Sequence, residues 1–398
     1  MTRLEFEDLS FEDSNGKIKV DFLKCYYFYI EKKELEQIGT FTLKKYVIKI
    51  DAPEKKVEKR FNSILSRNFG NLKSKLTNRK TIYIHKGSGI PLIGNNAFGV
   101  IDRNTSLIEV KPCTGCNLNC IYCSVDEGKL GKWVTDFLVE PGYIVEEFSK
   151  LVDFKGVKVE AHIGTQGEPF LYPKIIELVN GLSSIKGVGL ISIDTNGTLL
   201  TKGLIDKLAK AGLSRVNLSL NSLDPKIASR IAGVPYNLKH VLEMARYTLK
   251  KMDLLIAPIW LPGINDNEIP KLIELSKELD VRIGIQNFLN YKYGRNPVKA
   301  MNWAVFKDKM SALEKKYSVK LLFTEQDFEI KKTIELPKPF KKGQVVKAKV
   351  VCDGRLKNER IAVVDNRNIS IPNCFKTGTI NVKITRDKHN IFFGRCLG

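Results

Sequence analysis

Residues 107–123 read LIEVKPCTGCNLNCIYC and join a strand-like run to a group of closely spaced cysteines. An apolar, strand-like run, Leu107–Lys111, ends just before a segment in which four cysteines fall within eleven residues. The chain begins MTRLEFEDLSFED, which lacks the apolar segment of a signal peptide, and it has no uncharged apolar run of about 18 residues. We therefore expect a cytoplasmic protein with no membrane partner. In such a chain, clustered cysteines indicate a metal site more often than disulfides.

The spacing of these cysteines favours an iron–sulfur cluster over zinc. Structural zinc sites are usually built from two CxxC pairs, whereas Cys116, Cys120 and Cys123 form a CxxxCxxC loop with no matching second half. Iron–sulfur clusters are ordinarily held by four cysteines, so three ligands leave one iron free to bind another molecule. Cys113 is not needed for this pattern, and we expect it to be a packed thiol.

The cysteine loop opens a region, residues 105–325, that alternates strand-like and helix-like runs. The strand-like runs are Leu107–Lys111, Val157–Ile163, Val188–Asp194, Arg215–Asn221, Leu254–Trp260 and Arg282–Phe288. Helix-like stretches such as Lys202–Ala211 and Glu268–Leu279 lie between them. Six such repeats predict an α/β fold with a parallel sheet whose active-site loops follow the strands.

The motif CxxxCΦxC, with Tyr122 as the aromatic residue, resembles the radical S-adenosylmethionine (SAM) superfamily when it follows the first strand of a six-fold βα repeat. That resemblance implies a partial (β/α)6 TIM-like barrel. It also implies one 4Fe-4S cluster held by Cys116, Cys120 and Cys123, with SAM on the open iron. Reductive cleavage of SAM would then give a 5′-deoxyadenosyl radical. Cofactors carry this step, so no catalytic acid or base is assigned.

Three later segments resemble the SAM-binding turns of the same superfamily. Gly167 and Glu168 follow the second strand and resemble its Gly-Gly-Glu segment, whose backbone meets the amino group of SAM. Asn196 lies in a Thr-Asn-Gly turn after the third strand. Ser219 and Asn221 follow the fourth strand in a segment close to the molybdenum-cofactor cyclase branch, with Asn221 in place of the usual aspartate. The resemblance implies that SAM is bound by Tyr122, Gly167, Glu168, Asn196, Ser219 and Asn221. His162, beside this pocket, is a candidate for substrate contact.

The charge of the chain is unevenly distributed. Among 398 residues, 65 Lys and Arg stand against 44 Asp and Glu, giving +21, and 43% of residues are hydrophobic. A chain of this length and apolar fraction can bury a full core, which excludes disorder and small disulfide scaffolds. Residues 330–398 contain 16 Lys and Arg and 5 Asp and Glu, so about half of the excess lies in the last sixth. This concentration favours a nucleic-acid partner.

Residues 337–398 form a separate β-rich region behind the segment LPKPFKKG, which is typical of a linker. Five short strand-like runs predict a small barrel, and their glycine spacing resembles a TRAM domain, an OB-like barrel of RNA-modifying enzymes. Phe375, Phe392 and Phe393 are candidates to stack bases, although core packing is expected for at least two of them. Cys352, Cys374 and Cys396 are expected in the barrel core rather than in a second cluster.

The combined architecture leads to three functional hypotheses. The first is an enzyme that modifies RNA, with tRNA as the expected partner of the basic C-terminal domain and ferredoxin or flavodoxin as electron donor. This architecture resembles the methylthiotransferases that modify tRNA, but those enzymes carry three cysteines for a second cluster in an N-terminal domain. Residues 1–104 here, an N-terminal α+β extension of unknown role, contain only Cys25, so methylthiolation is not expected. The alternative is a radical SAM enzyme acting on a small molecule or peptide, with an auxiliary cluster in the C-terminal domain. The third is a non-enzymatic RNA-binding protein, which the intact cysteines disfavour.

Overall fold

The computed structural model describes residues 1–397. The chain divides into two compact units: residues 1–84 with 134–138, and residues 85–133 with the chain from 139 onward. Among the described residues, no helix is both long and apolar enough to cross a membrane.

The secondary-structure elements fall into three consecutive parts of the chain. The first part contains β1 (Thr2–Glu5), β2 (Leu9–Ser14), β3 (Lys17–Phe22), β4 (Tyr26–Glu31), α1 (Lys32–Glu36), β5 (Phe41–Lys44), β6 (Val47–Ile50), α2 (Glu54–Phe69), β7 (Lys73–Ser74), β8 (Lys80–Ile84), β9 (Gly99–Asp102), β10 (Leu107–Lys111), β11 (Thr114–Gly115) and β12 (Thr135–Val139). The middle part contains α3 (Pro141–Lys155), β13 (Val159–Ile163), β14 (Gln166–Gly167), α4 (Ile175–Ser183), β15 (Val188–Thr195), α5 (Lys202–Ala211), β16 (Arg215–Leu218), α6 (Pro225–Ala232), α7 (Leu238–Thr248), β17 (Asp253–Ile256), β18 (Ile259–Trp260), α8 (Glu268–Glu278), β19 (Arg282–Ile283), β20 (Gln286–Asn287) and α9 (Trp303–Tyr317). The last part contains β21 (Val345–Asp353), β22 (Arg360–Val364), β23 (Arg367–Ile371), β24 (Thr379–Arg386) and β25 (Phe393–Cys396).

The first unit contains two sheets, in which the strand pairs β1-β6, β5-β6, β2-β3, β3-β4, β4-β7 and β7-β8 are antiparallel. A three-stranded sheet has the order β1-β6-β5, and a six-stranded sheet has the order β12-β8-β7-β4-β3-β2. The helix α2 buries Val57, Phe61, Ile64 and Leu65 on one side, while its lysines stay exposed. This spacing is that of an ordinary amphipathic helix.

The second unit is centred on a seven-stranded sheet with the order β19-β17-β16-β15-β13-β10-β9. Six of these strands, from β10 to β19, run parallel and in sequential order, and β9 pairs antiparallel with β10 at the edge. The predicted α/β class is therefore confirmed. Because the carboxyl ends of parallel strands meet at one edge of a sheet, the loops after β10, β13, β15 and β16 come together there.

The C-terminal region forms a closed five-stranded barrel with the order β21-β22-β23-β25-β24, as the sequence predicted. Its core contains Phe340, Ile369, Val382 and Phe392, which are at most 2% exposed. The TRAM identity of this barrel stays a prediction.

The barrel is held against the core of the second unit by backbone hydrogen bonds from the segment that precedes β9. Asn368 N–H donates to the Ile93 carbonyl, and Phe392 N–H donates to the Gly94 carbonyl, both at 3.0 Å. Gly94 has a φ of +123°, and a Cβ placed there would lie 2.4 Å from the Asn368 carbonyl oxygen. Only glycine permits this approach. The barrel is thus fixed at this contact, although the residues before it are typical of a linker.

Candidate active site

The cysteine loop, residues 116–127, follows β11 and is held by the C-terminal end of α6. Asn119 N–H donates to the Ala232 carbonyl at 2.9 Å, and Ile121 N–H donates to the Ile231 carbonyl at 3.0 Å. The helix stops at Gly233, where a Cβ would come within 2.2 Å of the Asn119 carbonyl oxygen. These helix-end carbonyls, which have no partner within the helix, therefore fix the backbone on both sides of Cys120, the second predicted cluster ligand.

The predicted ligands Cys116, Cys120 and Cys123 are partly exposed, whereas Cys113 is completely buried, as expected for a packed thiol. Backbone N–H groups already point at two of the sulfurs. Leu118 N–H lies 3.4 Å from the Cys116 Sγ, and Glu127 N–H lies 3.2 Å from the Cys123 Sγ. Such donors stabilise sulfur that carries negative charge.

The chemistry of these thiols fits a cationic metal centre. Burial raises the pKa of Cys116 well above its usual range, that of Cys120 to about 12, and that of Cys123 to a smaller extent. Negative charge on Cys120 or Cys123 raises the pKa of Cys116 further, so the three sulfurs are electrostatic neighbours. Together they become thiolates only beside a positive partner such as iron. Within residues 1–397, no three His, Cys, Asp or Glu side chains lie close enough together to bind a single metal ion. An iron–sulfur cluster does not require this closeness, because each cysteine binds a different iron.

Arg295, from the loop after β20, secures the same cysteine loop from the other side. Its guanidinium donates to the Cys120 carbonyl at 3.0 Å, to the Glu127 carbonyl at 2.7 Å and to the Asp126 carboxylate at 2.6 Å. The backbone N–H of Arg295 donates to the Cys123 carbonyl at 2.9 Å. The sequence prediction missed Arg295, because no local motif marks it.

Glu168 and Gly167, two of the predicted SAM-binding residues, lie beside the cysteine loop. The parallel pairing of β14 with β11 brings Gly167 so close to Gly115 that a Cβ would lie 1.9 Å from its carbonyl oxygen. The buried Glu168 carboxylate accepts hydrogen bonds from Thr195 Oγ1 at 2.8 Å and from the Asn196 N–H at 2.9 Å. Burial raises the pKa of Glu168 to about 7, although these hydrogen bonds act in the opposite direction. A cationic ammonium group nearby would favour the ionised form.

The remaining predicted SAM residues surround one small pocket. This pocket is lined by Leu118, Cys120, Tyr122, Asn196, Ser219, Asn221, Ala228, Ile231, Ala232 and Tyr236. Asn221 donates to the Tyr122 hydroxyl at 2.9 Å and accepts from the Ile259 N–H at 2.8 Å. Tyr236, which the sequence prediction missed, donates to the Asn196 carbonyl at 2.9 Å. The structure therefore brings Tyr122, Asn196, Ser219 and Asn221 together next to Cys120, a predicted cluster ligand.

A polar network lies near the strand ends, around His162. The imidazole bonds Ser192 Oγ at 2.8 Å through Nδ1 and the Asp194 carboxylate at 3.2 Å through Nε2. Although burial opposes protonation, Asp194 raises the pKa of His162 above its ordinary value. Glu160 continues the network by pairing with Arg215 at 2.6 Å. Because Arg215 is the first residue of β16, this network extends from the carboxyl end of the sheet at His162 toward its amino end.

A cavity of about 480 Å³ lies between the cysteine loop and the C-terminal barrel. Ser124 and Val125 line it from the cysteine loop, and Thr165 and Gln166 line it from the turn that leads to Glu168. The barrel supplies Arg355 among other lining residues. This volume lies within the usual range of ligand sites.

The structure has a parallel sheet with three cysteines and the Gly167-Glu168 turn together at the carboxyl ends of its strands, which is the arrangement of an enzyme core. The sequence model of the Radical SAM superfamily matches residues 110–276. An uncharacterized protein of Methanocaldococcus jannaschii is 42% identical over an alignment of 384 positions, and the match covers 87% of this chain and 88% of that protein. The chain belongs to the radical SAM superfamily and is a radical SAM enzyme, and this family uses a 4Fe-4S cluster and SAM.

Other similar proteins differ in what their names describe. The GTP 3′,8-cyclase of Chlorobaculum tepidum is 33% identical over 50% of this chain, which spans 58% of that enzyme. Among solved structures, TYW1 with a lysine-pyruvate adduct has a TM-score of 0.40 and 21% identity, covering 59% of this chain and 81% of that one. SuiB of Streptococcus suis has a TM-score of 0.43 and 16% identity, covering 80% of this chain and 71% of that one.

Proposed function

We propose that this radical SAM enzyme modifies RNA, with tRNA as the expected substrate, and that Cys116, Cys120 and Cys123 hold its cluster. The bound cluster and SAM supply the hydrogen-abstracting radical when an electron donor such as ferredoxin or flavodoxin reduces them. The protein contributes the fixed loop around the three sulfurs, through Arg295 and the end of α6.

The chain's own residues would orient SAM around this loop. Glu168, with its raised pKa, would take the amino group, because a cation lowers the cost of a buried carboxylate. Asn196, Ser219 and Asn221 line the neighbouring pocket, where Tyr122 is held by Asn221. The small pocket is lined by Cys120 and the large cavity by Ser124 and Val125, so both spaces lie beside the cysteine loop.

The observation that carries the RNA substrate is a basic face on the barrel, consisting of Lys347, Lys349, Lys383 and Arg395. These residues point outward from β21, β24 and β25, and Lys383 is the cross-strand partner of Arg395. The other outward residues at positions 345–349, 379–385 and 395 include no Asp or Glu. An uncompensated strip of cations matches a phosphate backbone.

An exposed aromatic residue belongs to the same barrel. Phe375, in the loop before β24, is 71% exposed, whereas Phe392 is buried in the barrel core. A cationic strip combined with an exposed aromatic ring is the usual composition of a surface that binds single-stranded nucleic acid.

A second candidate function is the modification of a small nucleotide, which the similarity to GTP 3′,8-cyclase favours. The packing of the barrel cysteines argues against an auxiliary cluster in this second candidate. Cys374 is 1% exposed within the apolar barrel core, and Cys396 packs against that core. Recruiting these thiols to iron would require opening the core.

The test is an anaerobic assay of reconstituted enzyme with SAM, dithionite and total RNA from the source organism. We expect 5′-deoxyadenosine to form with RNA and one nucleoside to change mass. Cys120→Ala should abolish both signals. The triple variant Lys347→Gln, Lys349→Gln and Lys383→Gln should keep the cluster but weaken RNA binding. An unchanged nucleoside profile, with turnover only on free nucleotides, would transfer the assignment to the second candidate.

A further inference from the structure

The large cavity between the cysteine loop and the barrel is lined by the cysteine loop, the turn before Glu168, the loop after β20 and the barrel itself. Its lining includes Trp133, Thr165, Gln166, Tyr291, Lys292 and Tyr293. The cysteine loop and the turn before Glu168 form its inner end, so a molecule in this cavity lies beside the place where the radical would form. A molecule bound in this cavity would therefore be within reach of that radical.

The outer part of the cavity is aromatic. Trp133 and Tyr293 have ring centroids 6.5 Å apart, inclined at 53°. Tyr291 and Tyr293 remain 47% and 40% exposed. The Trp133 ring is fixed by its N–H bond to the Val125 carbonyl and by the Arg355 guanidinium 4.8 Å from its centroid. Two partly open tyrosines beside a fixed indole form a platform on which a planar base can stack.

Cations accompany these rings, and one of them has no acidic partner. Arg103 and Lys111 both pair with Glu109, and Arg355 pairs with Glu127. Lys292 makes no ion pair in the described part of the chain and lies 5.4 Å from the Tyr293 ring centroid. A cation next to an exposed ring is arranged to hold the phosphate of a nucleotide whose base is stacked.

The inner end offers polar groups that can read a base edge. Thr165 Oγ1 is buried but has no hydrogen-bond partner among the described residues. Gln166 donates through Nε2 to the Asn96 carbonyl at 3.2 Å, so its carbonyl oxygen is left to accept. A buried hydroxyl without a partner is uncommon and indicates that a ligand or water completes it.

We propose that this cavity receives one nucleotide of the RNA substrate, with its base against Tyr291 and Tyr293, its phosphate at Lys292 and its base edge at Thr165. This inference rests on the proposed function and specifies how that substrate is held. A nucleotide inside duplex or stacked RNA must leave its stack to enter, and single-stranded or loop positions permit this at the lowest cost.

The test uses the reconstituted full chain and measures binding by fluorescence anisotropy with three probes. These are a short single-stranded RNA of mixed sequence, the same RNA with abasic sites, and nucleoside 5′-monophosphates as competitors. We expect Tyr293→Leu to weaken binding of the normal RNA about five- to hundredfold, the range for loss of one stacked base. It should leave the abasic RNA unaffected. Lys292→Gln should weaken both RNAs and reduce the slope of log affinity against log salt by about 0.7.

Matched controls come from α9, where Trp303 is 54% exposed and Lys315 is also exposed. Trp303→Leu and Lys315→Gln remove an exposed ring and a cation away from the cavity, and should bind both RNAs as wild type does. Iron content and SAM binding should remain unchanged in all four variants, which separates loss of binding from misfolding.

Several outcomes would overturn the inference without touching the proposed function. If Tyr293→Leu binds and modifies RNA as well as Trp303→Leu does, the cavity is not the nucleotide site, although RNA modification stands. Equal affinity of normal and abasic RNA would refute base stacking. Conversely, if monophosphates bind in a Tyr293-dependent way while RNA is neither bound nor modified, the nucleotide site stands and the RNA substrate is wrong.

Discussion

Arg355 of the barrel and Glu127 of the cysteine loop form an ion pair whose side chains are only 6% and 1% exposed. Replacing Arg355 with methionine keeps much of the side-chain volume but leaves the Glu127 carboxylate without this opposite charge. Breaking one partner of a buried pair costs about 3–5 kcal/mol. The lost contact with the Trp133 ring adds about 0.5–2 kcal/mol. We therefore expect Arg355→Met to lower the free energy of unfolding of the second unit by at least about 3 kcal/mol.

The assay is urea unfolding of the cluster-free protein, followed by circular dichroism, because bound metal would add its own contribution to stability. The double variant Glu127→Gln with Arg355→Met should recover much of the loss, since it leaves no unpaired buried charge. Arg360→Met is the matched control, because its pair with Asp353 is 25% and 36% exposed and should contribute about 0–1 kcal/mol. A loss of under about 1 kcal/mol for Arg355→Met, or no recovery in the double variant, would refute the reasoning.

Three further outcomes follow from the geometry of the site. Cys120→Ser should lose the iron and its visible absorbance, whereas Cys113→Ala, at a buried packing position, should keep both, as measured by iron analysis. Burial raises the pKa of Glu168 to about 7, so from about pH 4.5 to 7 the folded state binds more protons than the unfolded state; the free energy of unfolding should fall across that range, and Glu168→Gln should remove the dependence in urea titrations. Asn221→Ala should weaken SAM binding in equilibrium dialysis without iron loss, because it frees the Tyr122 hydroxyl, whereas Asn221 makes no hydrogen bond to a cysteine within residues 1–397.

The core sheet was predictable because its strands are buried apolar runs with helices between them. The run Leu107–Lys111 has the same bounds as β10, and Lys202–Ala211 has the same bounds as α5. The fifth run, Leu254–Trp260, was predicted as one strand but forms β17 and β18, with Ala257 and Pro258 between them. Proline has no N–H for a ladder of hydrogen bonds, so the strand breaks there.

The site was predictable where its chemistry is local and not where contacts span the chain. The three cysteines lie within eight residues, so their spacing alone carries the signal. Arg295 contacts Cys120 across 175 positions, and nothing in its neighbourhood distinguishes it from other surface arginines. The contact between Gly94 and Phe392 uses backbone atoms, which leave no side-chain pattern except the glycine itself.

The position of the barrel changes what its charge can do. From sequence, the basic C-terminal region was interpreted as a separate domain that delivers RNA to the core. In the structure, the barrel also supplies Arg355 to a buried pair with the cysteine loop and lines the cavity beside it. Removing the barrel would open one wall of the cavity and leave Glu127 without that guanidinium, so the core would lose stability as well as the RNA affinity that we propose. Charge-neutralising substitutions on Lys347 and Lys383, which lie on the outer face, are therefore the means of separating RNA capture from the integrity of the active site.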